Sequence, residues 1–329
     1  MISKKQIIIL VGYGKILRKY NDFLKIEDQE DIVLINPSDV KQIIISGKHA
    51  ITTSAIRLIF ENDIDLILLD SFGRPIGHLI PCKQNFITDL WEKQITLPSE
   101  CALDISKEIC KAAIYNKLTI LRGIQKNFQL DFLDEIEAMK KRLEKVDTSI
   151  DTEQLRGLEG NSAKSYYNAL KSFIPEEYGF SGRTKHPPLD PVNSLLSYGY
   201  GILYSQVRYA IIVAGLNQFH GIFHSTYKDR EALVYDLTEE FRQPIVDRVV
   251  LTMISRNQVS INDFSREQNF CYINNDFKKK YADVVLTRME KTIKVDSEKK
   301  SFNEIIENQA RILADAIRGS AKYKAFIYR

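Results

Sequence analysis

Residues 91–125, WEKQITLPSECALDISKEICKAAIYNKLTILRGIQ, contain the change in the pattern of apolar residues that indicates the fold class. Ahead of it, apolar residues come in short runs that are broken by glycine and proline. Inside it they recur every three or four residues, which is typical of an amphipathic helix. The residues with this spacing are Ile105, Ile109, Ala112, Ala113 and Ile120. We therefore predict an α+β protein that changes from strands to helices near Trp91 and Pro98.

Residues 1–95 are predicted to form a small β-rich domain. Short β-branched and aliphatic runs, separated by turn-forming residues, indicate its strands. These runs cover residues 7–11, 32–35, 43–45, 66–69 and 76–80. Gly12 and Gly14 indicate a β-turn after the first run. One helix is predicted from Thr53 to about Asn62, with Thr52 or Thr53 as its N-cap.

Residues 96–329 are predicted to form a larger, essentially all-α domain. Helical spacing of apolar residues continues through most of this part. The predicted helices cover residues 103–125, 130–146, 155–173, 190–213, 245–254, 277–293 and 302–317. The fourth of these has the clearest start, since Asp190 is a favourable N-cap and Pro191 suits a first helical turn.

Composition indicates an ordinary globular chain in a reducing compartment. Of the 329 residues, 44% are hydrophobic and 27% charged, and the net charge is +3. Such a charge permits nucleic-acid binding without arguing for it. Cys82, Cys101, Cys110 and Cys271 lack the C-x-x-C spacing of a zinc site. No apolar run is long enough for a membrane span. We therefore expect a cytoplasmic protein without a membrane partner.

A candidate metal site lies in residues 221–242, GIFHSTYKDREALVYDLTEEFR. His224 precedes a segment with Asp236, Glu239 and Glu240, and residues three apart share one helix face. One imidazole and carboxylates suit a hard or borderline divalent cation, and such a cation suits phosphodiester chemistry. The alternative is a hydrogen-bonded histidine beside the acidic first turn of an ordinary helix, which the helix dipole favours.

Two other segments carry weaker signals. Glu159 lies in a helix-like stretch, where a lone glutamate is normally solvated. Residues 181–191, SGRTKHPPLDP, contain Arg183, Lys185 and His186 ahead of two prolines. This segment suits a phosphate-contacting loop and equally a rigid connector.

Several segments, in this order, resemble the CRISPR-associated adaptation endonuclease, the integrase family that inserts new spacers into CRISPR arrays. They are IIISGKHAITTSAIRLIFENDIDLILLDSFGRPIG (43–77), LEGNSAKSYY (158–167), DPVNSLLSYGYGILYS (190–205), AGLNQFHGIFHS (214–225) and ALVYDLTEEFRQPIVDR (232–248). The resemblance implies a β-rich dimerisation domain, a helical catalytic domain and one Mg²⁺ or Mn²⁺ per active site.

The resemblance also implies roles for individual residues. Glu159, His224 and Glu239 are the expected metal ligands, and Asp236 is an adjacent acid that supports them or the bound water. Arg183, Asn193 and Tyr204 lie in family motifs and are expected to make contacts to DNA or structural contacts. Lys185, from the loop at residues 181–191, and Arg242 are further candidate DNA contacts.

The function implied by the resemblance is metal-dependent transesterification, in which the 3′-hydroxyl of a DNA fragment attacks a phosphodiester at a repeat end. Double-stranded and branched DNA are the expected substrates. Two homodimers of this chain are expected to bind one dimer of a small ferredoxin-like CRISPR protein. The alternatives are a general metal-dependent nuclease for branched DNA and a non-catalytic DNA-binding scaffold. The choice between magnesium and manganese stays open.

Overall fold

The computed structural model describes residues 5–28, 31–79, 88–184, 187–228, 230–295 and 297–329. Its first part is a six-stranded sheet with one helix, and its second part consists of helices and two small hairpins. The strands are β1 Gln6–Tyr20, β2 Phe23–Glu27, β3 Ile32–Ile35, β4 Val40–Ile51, β5 Asp65–Leu69, β6 Pro75–Leu79, β7 Phe264–Glu267, β8 Phe270–Ile273, β9 Thr292–Val295 and β10 Glu298–Ser301. The helices are α1 Thr53–Glu61, α2 Thr88–Ile95, α3 Ser99–Phe128, α4 Leu133–Lys145, α5 Thr152–Phe173, α6 Pro191–Val213, α7 Ala232–Thr238, α8 Arg248–Ser255, α9 Asn275–Glu290 and α10 Phe302–Arg318.

The large sheet has the strand order β3-β2-β1-β4-β5-β6. β1 and β5 run parallel to β4, and the remaining pairs are antiparallel. The crossover between β4 and β5 is α1, which Thr52 caps by accepting a hydrogen bond from the Ala55 amide. The face of α1 with Ala55, Leu58 and Ile59 packs on one side of the sheet.

The other side of the sheet joins the core of the helical part, through Ile44, Ile67 and Leu69. A close approach between the two parts lies at the turn between β5 and β6, where Gly73 meets α6. An added Cβ at Gly201 would lie 1.6 Å from the carbonyl oxygen of Gly73, so only glycine fits there. This contact holds the turn against the helix that forms one wall of the site described below.

α6 is the central helix of the second part and is buried along nearly its whole length. Most of its residues are apolar, aromatic or small, as expected for a helix that is surrounded by protein, although Asn193, Gln206 and Arg208 are buried with them. Asp190 caps it by accepting a hydrogen bond from the Asn193 amide at 2.9 Å. Among the described residues, no helix is both long and apolar enough to cross a bilayer.

The α+β class and a β-rich first part agree with the prediction, but several elements differ. β1 continues through Gly12 and Gly14, whose positive φ angles bend the strand where a turn was predicted. β2 was not predicted. The second part is not all-α, because it contains the hairpins β7–β8 and β9–β10. Their strands are only four residues long, which is too short to produce a clear alternating pattern.

Two further predicted elements need adjustment. The helix predicted over residues 245–254 begins with a π-helical turn at Arg242–Asp247 and continues as α8. The helix predicted over residues 277–293 ends at Glu290, and β9 follows. α2 contacts the helical part, since Trp91 Nε1 donates to the Gly215 carbonyl at 2.9 Å. The division near residue 95 stays a prediction, and α2, which lies on the N-terminal side of that residue, contacts the helical part.

Candidate active site

One cleft brings the three predicted ligands together. It has a volume of about 1120 Å³, and Glu159, His224 and Glu239 all lie on its wall. Glu159 comes from α5, His224 from the loop between α6 and α7, and Glu239 from the residue that ends α7. The turn between β5 and β6 closes one side through Arg74. Residues far apart in the chain therefore share one surface.

Asp236 holds His224 in place from behind. Its carboxylate is fully buried and accepts backbone hydrogen bonds from Ile222 at 2.6 Å, Phe223 at 3.0 Å and His224 at 2.8 Å. It also accepts a hydrogen bond from His224 Nδ1 at 2.7 Å. Gly221 permits this tight loop, because an added Cβ would lie 2.4 Å from the His224 carbonyl oxygen. With Nδ1 protonated, Nε2 of the neutral ring is left with a lone pair for a ligand.

Charge also acts on His224. Burial lowers the pKa of the imidazole, but the hydrogen bond and charge of Asp236 and the charge of Glu239 outweigh it, so the pKa is raised above its ordinary value. The ring therefore keeps a proton to higher pH than a free histidine does. A ligand that needs the Nε2 lone pair must displace that proton.

Glu159 is paired with Lys117, a lysine buried inside the helical part. Lys117 Nζ lies 2.8 Å from Glu159 Oε1, and the two side chains are 2% and 17% exposed. Burial alone would raise the pKa of Glu159, but Lys117, Arg242 and His224 outweigh it and lower the pKa. The carboxyl group is therefore held as an anion at the cleft wall.

Glu239 is paired with Arg242, one helical turn further on. Arg242 Nη1 lies 2.9 Å from Glu239 Oε1. The second oxygen, Oε2, is buried and lacks a hydrogen-bond partner among the described residues. A buried carboxylate oxygen without a partner is costly unless a cation or a donor fills the position.

The fit to a divalent cation can be judged from these donors. Two carboxylates and an imidazole are a donor set that Mg²⁺ and Mn²⁺ accept, and Glu239 Oε2 and His224 Nε2 have free lone pairs. Within the described parts of the chain, however, no three His, Cys, Asp or Glu side chains approach closely enough to hold one ion. Lys117 and Arg242 neutralise the two glutamates instead. The donor set therefore fits the ion when the carboxylates of Glu159 and Glu239 rotate away from Lys117 and Arg242.

The predicted DNA-contacting residues occupy different environments. Arg183, Tyr204 and Arg242 line the cleft. Asn193 is fully buried, and its amide binds the Gly182 carbonyl at 2.8 Å, Asp190 at 2.6 Å and Arg183 at 2.9 Å. The side chain of Asn193 therefore makes structural contacts within the protein, which was one of its two expected roles. Lys185 lies outside the described residues.

Tyr200 lies between two of the cleft's guanidinium groups. Arg183 and Arg242 stand 5.5 Å and 5.4 Å from the centre of its ring. Its hydroxyl donates to Asp247 at 2.5 Å and lies 3.0 Å from the Tyr167 hydroxyl. These contacts fix the positions of both cations, which matters because a fixed cation binds a phosphate with less loss of entropy.

Neither Lys117 nor the excess of positive charge along the cleft was predicted from the sequence. Lys117 lies on the buried stripe of α3 between Ala113 and Ile120, and a lysine at such a position is the signal that could have revealed it. Among the described lining residues, seven are lysine or arginine and three are glutamate. The excess of cations arises from Arg74, Arg142, Lys164, Lys171, Arg183, Arg230 and Arg242.

Known proteins share this architecture. The family model described as CRISPR associated protein Cas1 matches residues 8–286. A CRISPR-associated endonuclease Cas1 of Methanospirillum hungatei JF-1 is 36% identical over 329 residues, covering 98% of this chain and 99% of the relative. A chain of a solved Cas6-RT-Cas1–Cas2 complex is 25% identical with a TM-score of 0.86, covering 99% of this chain and 36% of its own length.

A casposase bound to integration product has a TM-score of 0.88 at 23% identity, covering 97% of this chain and 92% of that one, which shows a shared fold. The family model spans most of the chain, and the archaeal relative matches along nearly its whole length. The chain therefore belongs to the Cas1 family, the endonucleases and integrases of CRISPR adaptation.

Proposed function

We propose that this chain joins DNA strands with the help of one Mg²⁺ or Mn²⁺ held by Glu159, His224 and Glu239. The observation that carries the proposal is the Asp236–His224 pair. A metal-binding histidine typically donates its other ring nitrogen to a carboxylate, and Asp236 accepts that hydrogen bond at 2.7 Å. The partnerless Oε2 of Glu239 on the same cleft wall supports the same interpretation.

The protein's own residues have separable tasks in this reaction. Asp236 fixes the tautomer and direction of His224, while Lys117 keeps Glu159 ionised. A divalent cation held by Glu159, His224 and Glu239 would neutralise charge at the attacked phosphate and lower the pKa of the attacking 3′-hydroxyl. Arg242, held beside Glu239, is placed to neutralise further phosphate charge.

The substrate we propose is double-stranded and branched DNA lying along the cleft. Its cationic lining matches a phosphodiester backbone, and phosphate contacts make binding fall steeply with salt. We propose that the chain acts in the cytoplasm. Cys101, Cys110 and Cys271 are free thiols, which agrees with a reducing compartment.

The partners we propose are a second copy of this chain and the small ferredoxin-like protein, with two dimers of this chain per partner dimer. The name of the solved Cas6-RT-Cas1–Cas2 complex supports the second partner. Supporting the first, β3 is an edge strand whose Ile32, Val33 and Leu34 are 64%, 50% and 51% exposed. An apolar edge strand of this kind is normally covered in solution.

A strand-joining assay tests the reaction. The protein and the small partner are incubated with repeat-bearing supercoiled plasmid and duplex oligonucleotide, with Mg²⁺, with Mn²⁺ or with chelator. Glu159→Gln and His224→Ala should reduce joining by roughly 10³-fold, about 4 kcal/mol in the barrier. The matched control is Glu153→Gln, an exposed acid in the first turn of the same helix, which should join normally.

The same assay separates the alternatives. Cleavage of forks without joining, when the partner is present, would identify a general branched-DNA nuclease. Activities that are unchanged by chelator would identify a scaffold. Joining at the wild-type rate by Glu159→Gln would refute the ligand assignment.

A further inference from the structure

Residues 323–328, which we call the strap, lack regular structure and are nevertheless buried in part. Tyr323, Ala325 and Phe326 are all less than a tenth exposed. The strap follows α10, which ends at Arg318 with Gly319 in the left-handed conformation. An irregular segment that is buried must find partners for its backbone groups. The partners of the strap lie directly behind the active site.

The first partner is Glu240, the residue after the proposed ligand Glu239. The Tyr323 hydroxyl donates to Glu240 Oε1, and the Phe326 amide donates to Oε2 at 2.6 Å. Gln309 of α10 donates to the same Oε2 at 3.0 Å and to the Lys324 carbonyl at 3.0 Å. The carboxylate of Glu240 is thus held by the strap and by the helix that precedes it.

The second contact is with the rings and backbone just beyond Glu240. Phe326 stacks on Phe241, with ring centroids 5.4 Å apart and planes at 9°. Arg288 Nη2 donates hydrogen bonds to the Pro244 carbonyl at 2.7 Å and to the Tyr328 hydroxyl at 3.2 Å. The strap therefore supports the segment from Glu239 through the π-helical turn, which also contains Arg242.

The third partner is Asn116 of α3, the neighbour of Lys117. Its amide nitrogen donates to the Glu240 carbonyl at 2.8 Å and to the Phe326 carbonyl at 3.2 Å. Its oxygen accepts from the Tyr328 amide at 2.8 Å. Asn116, which is adjacent to Lys117, and Glu240, which is adjacent to Glu239, are therefore both hydrogen-bonded to the strap.

We propose that the strap is a positioning element of the active site. It sets the separation of Glu159 and Glu239 by holding Asn116 and Glu240, the residues adjacent to Lys117 and Glu239. This inference rests on the proposed metal site and adds a set of residues to it. Since the strap acts from behind the cleft wall, its side chains are positioning residues and not catalytic ones.

The test compares two tyrosine–glutamate hydrogen bonds in the full-length chain. Tyr323→Phe removes the strap's hydroxyl from Glu240. Tyr272→Phe is the matched control, because it removes the hydrogen bond that the Tyr272 hydroxyl donates to Glu267 on the β7–β8 hairpin. The dissociation constant for Mn²⁺ is measured on the protein alone by titration calorimetry, and the unfolding midpoint is measured beside it.

We expect Tyr323→Phe to weaken Mn²⁺ binding about tenfold, as loss of an outer partner typically does, and Tyr272→Phe to leave it unchanged. Phe326→Leu, which removes the stack on Phe241, should weaken binding in the same direction. Hydrogen exchange should quicken at residues 239–247 in both strap variants.

The outcomes separate the two proposals. If both strap variants had a lowered unfolding midpoint but an unchanged Mn²⁺ affinity, the strap would have a purely structural role. That result would overturn the positioning role of the strap and leave the metal site standing. A wild-type protein that binds no Mn²⁺ would overturn the metal site and the strap's role with it.

Discussion

Replacing Glu240 with glutamine should change how stability depends on pH. Burial raises the pKa of Glu240 from 4.5 to about 7, although hydrogen bonds from Tyr323, Phe326 and Gln309 act in the other direction. Between these pH values the folded protein holds a proton that the unfolded chain has released. Stability must therefore fall as pH rises through this window, because the folded state binds more protons.

The magnitude follows from the pKa. At about 1.4 kcal/mol per pKa unit, an ionised Glu240 costs the folded state about 3 kcal/mol above the window. About 2 kcal/mol of this is lost between roughly pH 5.5 and pH 8. Glutamine stays neutral throughout. Its oxygen can accept from the Phe326 amide and from Gln309, and its NH₂ group can donate to the Tyr323 hydroxyl oxygen.

Urea unfolding of metal-free protein at the two pH values measures this difference. The only tryptophan, Trp91, lies on α2 against Gly215 and so reports on the helical part by fluorescence. The wild type should lose about 2 kcal/mol more than Glu240→Gln on going from pH 5.5 to pH 8. Glu153→Gln, an exposed acid on α5, should behave as the wild type. If the free energy of unfolding changed with pH in the same way for the wild type and Glu240→Gln, the raised pKa of Glu240 would be contradicted.

Three further changes test other contacts. Asp236→Asn should weaken Mn²⁺ binding 10- to 100-fold in a calorimetric titration. All four groups that bind the Asp236 carboxylate are hydrogen-bond donors, and the NH₂ group of an asparagine would have to face one of them. Unchanged binding would contradict this. Lys117→Met should destabilise the fold by about 3 kcal/mol in urea and raise the pKa of Glu159 by NMR titration, since Lys117 is the main group that opposes the effect of burial; a variant as stable as the wild type would argue against it. Gly201→Ala should lower stability by about 1–3 kcal/mol in thermal unfolding, because its Cβ meets the Gly73 carbonyl; an unchanged midpoint would disprove that close contact.

Local signals allowed much of the fold to be predicted. The starts of α1 and α6 follow from Thr52 and Asp190, whose side chains cap amides three residues along the chain. A cap and an apolar period are both properties of neighbouring residues, so the sequence displays them. β2 and the two hairpins escaped prediction, because a strand of four or five residues is stabilised mainly by its partner strand.

Patterns in the sequence predict the α+β class and most of the helices, and family resemblance predicts Glu159, His224 and Glu239 as metal ligands. The groups around these residues are visible only in the folded chain: Asp236 behind the histidine, Lys117 and Arg242 beside the glutamates, and the strap behind the wall. The difference lies in the distance along the chain over which each contact forms. A cap is formed within one turn, whereas the pairing of Lys117 with Glu159 depends on how α3 packs against α5, which no local pattern encodes.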